Sequence, residues 1–304
     1  MVVNTLSKNN KNNSTSRQAG VLSSDFSGQD KLKLEGWESL FFSSDKNIYI
    51  HPLAIIGPGV FLESGVKIGP FCSIVGNVHI GKNTRIYPHV TIGYPGQVLG
   101  LTKCYGSVQI GSSCEIREFV SIHSSRAPEG KTVIGDNCYI MNFSHIAHDC
   151  YLENNVTLIN NVSLGGHTHV EHNAFLMAYV ATHQFCRIGQ FASLAPFSAT
   201  RQDLPPFCLF DGQPASFAGL NKVALNRAGF SSVTCETLKH ITYLFYLEKL
   251  SLEKIYDKVN SDIKYKSEES VDKFLSFIVQ SKRGVSRRTI TQVGQRSKAS
   301  EFME

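Results

Sequence analysis

The sequence predicts a mainly β fold, a triangular solenoid of stacked parallel strands, followed by an α-helical domain. Three observations carry this. Large aliphatic residues recur six positions apart from Ile50 to Leu194. The beat passes through two breaks without losing phase, at Ile92–Ile110 and Ile122–Ile134, both multiples of six. Beyond Thr200 the period becomes helical.

A helix needs a period of 3.6 and a flat sheet a period of 2. Six residues with a turn in each unit make a short strand and a corner. Three such units close one coil, and coils stack about 4.8 Å apart as hydrogen-bonded strands do. Small residues stand two before the aliphatics, for example Val66, Cys72, Val78, Cys114, Val120, Cys138, Ser144, Cys150 and Val156. Both members of such a pair point inward. Glycine often follows, as at Gly57, Gly69, Gly81, Gly135 and Gly165.

Taken in order, residues 1–45 are rich in Ser, Asn and Lys without a period, and read as a disordered extension. Trp37 and Leu40–Phe42 are the exception and are expected to pack on the body. Asp25, Asp30 and Glu35 argue against an organelle-targeting peptide. Residues 46–200 form the solenoid, with loops let out at Tyr94–Ser107 and Ser124–Lys131. Residues 201–230 read as a linker and substrate-contact segment. Residues 231–280 form the helical domain, with apolar stripes Leu238/Ile241/Phe245, Leu252/Ile255/Val259/Ile263 and Val271/Phe274/Leu275/Ile278. Ser251 and Ser270 are the expected N-caps of the last two. Residues 281–304 carry six Lys or Arg and read as a basic, disordered tail.

Composition excludes several classes. The chain has 304 residues, 42% hydrophobic and 18% charged, with a net charge of +5. No compact basic and aromatic element points to nucleic acid. There is no long unbroken apolar run and no charged-then-apolar leader, so neither an integral membrane segment nor secretion is expected. The 8 cysteines include no CxxC pair. Cys72, Cys114, Cys138, Cys150 and Cys186 occupy the small inward position, where cysteine acts as a small hydrophobe.

The chemistry concentrates at Met141–Cys150, which holds His145, His148 and Asp149. Coil arithmetic separates His148 and His167 by one coil plus a single step, on neighbouring rungs of one corner. His145 and His183 share that edge, and all four face outward. Three readings stand at this point. A zinc site needs three or four convergent ligands at about 2 Å. Polar decoration of the prism needs nothing more. A general base needs a neutral imidazole, which can accept a hydroxyl proton near neutral pH. Asp149 is the candidate to orient it.

At these residues the chain resembles the UDP-N-acetylglucosamine O-acyltransferase family of lipid A biosynthesis. The segments that carry the likeness are His145–Cys150, Gly165–Gly166–His167, His183–Gln184–Phe185 and Gln202–Pro206. It runs from about Ile50 to Gly229 and more weakly through the helices. The resemblance implies a left-handed parallel β-helix with a C-terminal helical domain, assembled as a homotrimer in the bacterial cytoplasm with active sites between subunits. It implies an acyl chain moved from an acyl carrier protein thioester to the 3-hydroxyl of UDP-N-acetylglucosamine, with no cofactor and no metal. By motif, His148 matches the general base and the Gly166 N–H the oxyanion donor, worth about 3–4 kcal/mol in such holes. His145, His167, His183 and Gln184 match substrate-positioning residues, Gln97 a contact in the sugar loop, and Asn221 and Arg227 nucleotide contacts.

The chain departs from the family pattern at the walls. Where the family has a Gln-Asp-Leu-Lys run, this chain reads Gln97-Val98-Leu99-Gly100. Val223 and Ala228 stand where a Glu and a second Arg are usual, and Pro196 stands in the acyl groove. Two alternatives follow: a related acyltransferase with another sugar or an amine as acceptor, or a non-catalytic β-helix scaffold.

Overall fold

A computed structural model describes residues 42–43, 47–100, 106–262, 265 and 268–287. The rest of the expected N-terminal extension, with Trp37, Leu40 and Phe41, lies outside the described residues. So do Ile263 and the tail beyond residue 287.

The six-residue beat becomes short strands in three parallel sheets. We call these the first, second and third faces in the order the chain visits them. Tyr49–Ile50, Ile55–Ile56 and Val60–Leu62 begin the three faces. The register is set by the beat: Ile50 pairs with Ile68, Ile56 with Ile74 and Leu62 with Ile80. With the helices that follow, this is a left-handed parallel β-helix with a C-terminal helical part.

The aliphatic column and its small partners fill the prism. Ile68, Ile74, Ile80, Ile86, Ile92, Ile116, Ile140 and Ile146 are fully buried, and Cys72, Cys114, Cys138, Cys150 and Cys186 are buried beside them. Each buried aliphatic stabilises the coil by about 1.5–3 kcal/mol.

Two coils are longer than the regular three hexads. Thr91 pairs with Ser121, and Ser121 pairs with His145. The first of these coils spans five hexads and the second spans four. The surplus hexads are the two loops. Both leave the core undisturbed because they leave and re-enter at a corner.

An aromatic ladder runs along the corner between the first and second faces. Phe71, His89, Phe119 and Phe143 stack with centroids 4.9, 4.7 and 4.9 Å apart, and Tyr179 stacks on Phe197 at 4.9 Å. All sit at the left-handed turn position, φ 59 to 63°. That conformation costs a bulky residue about 1–2 kcal/mol, and stacking offsets part of it. Phe71, Phe119, Phe143, Tyr179 and Phe197 remain exposed.

The structure differs from the sequence reading at four places. Phe42–Ser43 pairs antiparallel with Tyr49–Ile50, giving the first coil's edge a partner. The presumed linker holds a strand, Cys208–Asp211, that continues the first face and turns back antiparallel through Ser216–Leu220. Phe207 and Phe210 are fully buried there and close the end of the prism.

Among the described residues four helices follow: α1 (Lys222–Arg227), α2 (Ser232–Tyr246), α3 (Leu252–Ser261) and α4 (Glu269–Gln280). Ser251 caps α3 by accepting from the Lys254 N–H. Ser270, expected to cap α4, lies inside its first turn; the cap is Glu268, whose side chain makes no capping bond. Its carbonyl takes the Val271 N–H at 2.9 Å instead, so the helix begins earlier than expected.

The fourth difference is the start of the basic tail. Ser281–Arg287 packs back on the solenoid: Ser281 Oγ donates to Asp203 Oδ2 at 2.7 Å and the Asp203 N–H to Gly284 O at 3.0 Å. Among the described residues, no helix is long and apolar enough to cross a membrane.

Candidate active site

The site is built on the corner between the second and third faces. His148 stands in the turn after His145–Ile146, so its side chain leaves the prism wall. Even so it is only 6% exposed. The loop let out after Thr91–Tyr94 folds over it. A Cβ on Gly96 would stand 2.8 Å from His148 Cβ, so only glycine fits that approach. The loop is tied down by His123, whose Nδ1 donates to the Pro95 carbonyl at 2.7 Å.

His148 Nδ1 lies 2.8 Å from Asp149 Oδ2. An ionised carboxylate only accepts, so Nδ1 carries a proton, and in the neutral ring Nε2 then bears the lone pair. Burial pushes the Asp149 carboxyl up, but hydrogen bonds from Ser125, His148 and the Arg126 N–H, with His167 nearby, outweigh it and hold the group below its ordinary value. Ser125 Oγ donates to Asp149 Oδ1, and the Asp149 N–H donates to Thr132 Oγ1 at 2.8 Å. Asp149 itself takes the left-handed turn position, φ 61°, which Asp tolerates.

One rung on, Gly166 faces the ring. A Cβ there would lie 2.6 Å from His148 Cε1 and 2.8 Å from Nε2. Among the described residues the Gly166 N–H has no acceptor, because the chain's own bonds at this corner go through Gly165 and His167. Gly165 is held by a polar inward pair: Thr182 Oγ1 accepts its N–H at 3.2 Å, Thr168 Oγ1 donates to its carbonyl at 2.6 Å, and the two hydroxyls are 3.0 Å apart. A lone-pair nitrogen and an unspent N–H therefore share one cavity.

That cavity, about 260 Å³, is lined by Gln97, His145, His148, Gly166 and Gln184 with the small residues Ala147, Ser163 and Ala181. Burial, with His123 and His148 close by, pushes His145 down to about 4. It is therefore a neutral hydrogen-bonding ring, paired through Nδ1 with Ser121 Oγ at 2.9 Å. A titration of His145 followed by 15N chemical shift has an expected midpoint of about 4. The unfolded chain takes this proton first, so His145 erodes stability as pH falls from about 6.5 toward 4 and has no such effect above. A midpoint at the ordinary histidine value would contradict the burial.

The remaining expected residues are placed elsewhere. His167 stands behind His148 rather than on the cavity wall, stacked on Phe185 at 4.4 Å with Nε2 3.6 Å from Asp149 Oδ2. Burial, partly offset by the Asp149 carboxylate, lowers its pKa. His183 is also off the lining and contacts Arg283. Asn221 and Arg227 line a second cavity of about 350 Å³, with Asn155, Asn173, Phe175 and Phe191. Val223 and Ala228, two of the positions expected to depart from the family pattern, line it too. The Asn221 amide is already engaged: Oδ1 caps α1 by accepting from the Ala224 N–H, and Nδ2 donates to Phe191 O at 2.8 Å.

The zinc reading through His148, His167 and His183 does not assemble, since a guanidinium sits against His183. His148, Asp149 and His167 do bring ligand atoms within 4.8 Å of one another. The first two are already paired as donor and acceptor. His148 faces outward from the prism as expected, and a loop roofs it over, which is why it is only slightly exposed. Sequence reasoning missed Ser125, Thr132, His123, Thr182 and Gly96. The lengthened second coil would have aligned Ser125 with Asp149, and the polar break in the beat at Thr182 marked that residue.

Comparison with known proteins follows the same lines. The family model described as UDP N-acetylglucosamine O-acyltransferase, domain 2, matches residues 203–286, and that described as bacterial transferase hexapeptide (six repeats) matches 59–94 and 131–166. The acyl-[acyl-carrier-protein]–UDP-N-acetylglucosamine O-acyltransferase of Thermodesulfovibrio yellowstonii is 40% identical over 257 residues, covering 78% of this chain and 99% of that protein. Its Myxococcus xanthus counterpart is 32% identical with the same coverage. The solved UDP-N-acetylglucosamine acyltransferase of Francisella novicida superposes with a TM-score of 0.70 at 30% identity, covering 83% of this chain and 98% of that one. The Arabidopsis enzyme does so at 0.63 and 32%, covering 78% and 98%.

Proposed function

The chain belongs to the UDP-N-acetylglucosamine O-acyltransferase family, and from that premise we propose that it transfers an acyl chain from acyl carrier protein to the 3-hydroxyl of UDP-N-acetylglucosamine. His148 Nε2 takes the hydroxyl proton while the oxygen attacks the thioester carbonyl. The Gly166 N–H donates to the oxyanion that forms. The C–S bond then breaks, and the proton held on Nε2 passes to the departing sulfur. Asp149 keeps Nδ1–H in place and stabilises the imidazolium between these events. His145, as a neutral ring, and Gln184 and Gln97 hold the substrate. No cofactor is required by these steps.

The observation that carries this reading is the placement of His148 Nε2, without a partner among the described residues, against Gly166 in one cavity. The test is mass spectrometry of the purified protein with acyl carrier protein thioesters of several chain lengths and UDP-N-acetylglucosamine. Acylated sugar nucleotide is the expected product. Thioester consumption only when another sugar or an amine is supplied would move the assignment to that acceptor. Val223 and Ala228 on the second cavity favour this second reading. Pro196, half-buried at the corner before the last strand of the second face, makes acyl length the variable to scan.

We further propose a homotrimer in the cytoplasm. The two cavities share no lining residue. One opens on the second face and the other on the first, on either side of the aromatic ladder. Three copies meeting along that ladder bring the first face of each against the second face of the next. His148 of one copy then faces Asn221 and Arg227 of its neighbour. Such a contact is heterologous and closes as a ring. Phe143→Glu, a charge placed in the middle of the ladder, is expected to turn the trimer into monomers by analytical ultracentrifugation and to abolish turnover with it. A trimer unaffected by this change would remove the ladder from the axis.

A further inference from the structure

Asp203 and Ser281 anchor the segment after α4, and two more contacts hold its far end. Ser286 Oγ donates to Ala215 O at 3.3 Å, and the Arg287 guanidinium donates to Leu250 O at 2.6 Å while lying 4.1 Å over the Phe245 ring. Between these anchors Arg283 turns toward the solenoid. Its Nε and Nη2 donate to Arg201 O at 3.1 and 2.9 Å, and the same Nη2 lies 3.2 Å from His183 Nδ1.

A guanidinium has five donors and no acceptor. The contact is a hydrogen bond only if His183 Nδ1 carries a lone pair, and a neutral ring then bears its proton on Nε2. The same Nδ1 lies 3.2 Å from the Gln184 carbonyl, the partner an Nδ1–H would take. Two tautomers thus have competing partners at equal distance, and Arg283 is the group that selects between them. The position matters because Thr182 and Gln184, on either side of His183, line the cavity of His148. Arg201, the other partner of Arg283, lines a larger cavity of about 640 Å³ at the end of the solenoid.

We propose that Arg283 is a positioning residue that holds His183 as an Nε2–H donor, presented to a carbonyl or hydroxyl oxygen of a substrate bound alongside His148. The tautomer assignment stands on geometry alone, while its consequence for turnover rests on the acyl-transfer reading above. Asp203, through Ser281 and Gly284, sets where the guanidinium arrives beside the cavity edge.

The test uses the full chain with 15N-labelled histidine, His183 being assigned by His183→Gln, and the variants Arg283→Lys and Arg283→Met. The expected result is an unprotonated Nδ1 on His183 in the wild type and in Arg283→Lys, which keeps a donor. In Arg283→Met the proton moves to Nδ1. With the same three proteins, the expected KM for one substrate rises about tenfold in Arg283→Met, the size of one lost charge-assisted hydrogen bond, and Lys restores most of it. Melting temperature is measured alongside. A protonated Nδ1 in the wild type, or no change in Arg283→Met, overturns the proposal whether or not the protein acylates a sugar. An altered tautomer with unchanged KM overturns the positioning role. Equal losses in Lys and Met that follow the melting temperature would reduce Arg283 to a structural clamp.

Discussion

His148→Ala is expected to lower kcat by about 10²–10⁴-fold, the range for losing a positioned general base. KM is expected to change little, because the ring's task is at the reacting hydroxyl. The fold is expected to survive. His148 projects from a corner, and the inward column beside it is Ile146, Cys150 and Leu164, none of which depends on the imidazole. Stopped-flow or mass-spectrometric turnover, with circular dichroism as the fold control, decides the matter. Retention of more than a tenth of wild-type turnover would remove His148 as the base. Asp149→Asn is expected to lose less, since an amide oxygen can still accept from Nδ1–H. It gives up the charge that stabilises the imidazolium, and the loss relative to wild type should shrink once pH falls far enough to protonate the wild-type carboxylate.

Gly166→Ala is expected to be nearly as damaging, for a different reason. It keeps the N–H and so keeps the oxyanion donor. The new methyl, however, would lie 2.6 and 2.8 Å from His148 Cε1 and Nε2. The ring has no room to retreat. Gly96 stands against its other side, and Nδ1 is bonded to Asp149 at 2.8 Å. Either the imidazole leaves the carboxylate or the corner shifts outward, and overpacking of this kind costs about 1–3 kcal/mol. A kcat loss above about 100-fold is expected, since an ångström of misplacement is worth that much, together with a melting temperature a few degrees lower. A variant with near-normal turnover would mean that the ring swings clear during the reaction.

Much of this site was legible in the sequence, for a physical reason. A strand-and-corner coil of constant length makes sequence distance equivalent to height along the prism. His148, Gly166 and Gln184 follow one another at intervals of one regular coil, and they share one cavity wall. Where the coil length changes, that equivalence breaks. Ser125 was invisible as the partner of Asp149 because the coil that joins them carries an extra hexad. Gly96 was invisible because its loop has no period at all. His183 was legible as an edge residue matched to substrate positioning, but its partner Arg283 was not, because it lies far along the chain on a segment beyond the helices. The helical stripes were readable because their apolar spacing marks a buried face. The Ser270 cap was not, because the backbone of Glu268 starts α4 without help from a side chain.

The way the two loops are inserted has a consequence for how such a protein can change. Each enters and leaves at a corner, and the hydrophobic column passes beneath it in unbroken phase. Mutations in the loop that carries Gly96 and Gln97 over His148 therefore leave the hydrogen-bonded rungs that give the prism its rigidity intact. Selection can try new acceptors there while the scaffold and the reactive pair stay constant. In this chain Val223 and Ala228 lie on the far cavity, away from the reactive pair, the distribution expected of an architecture whose evolvable surface is uncoupled from its foundations.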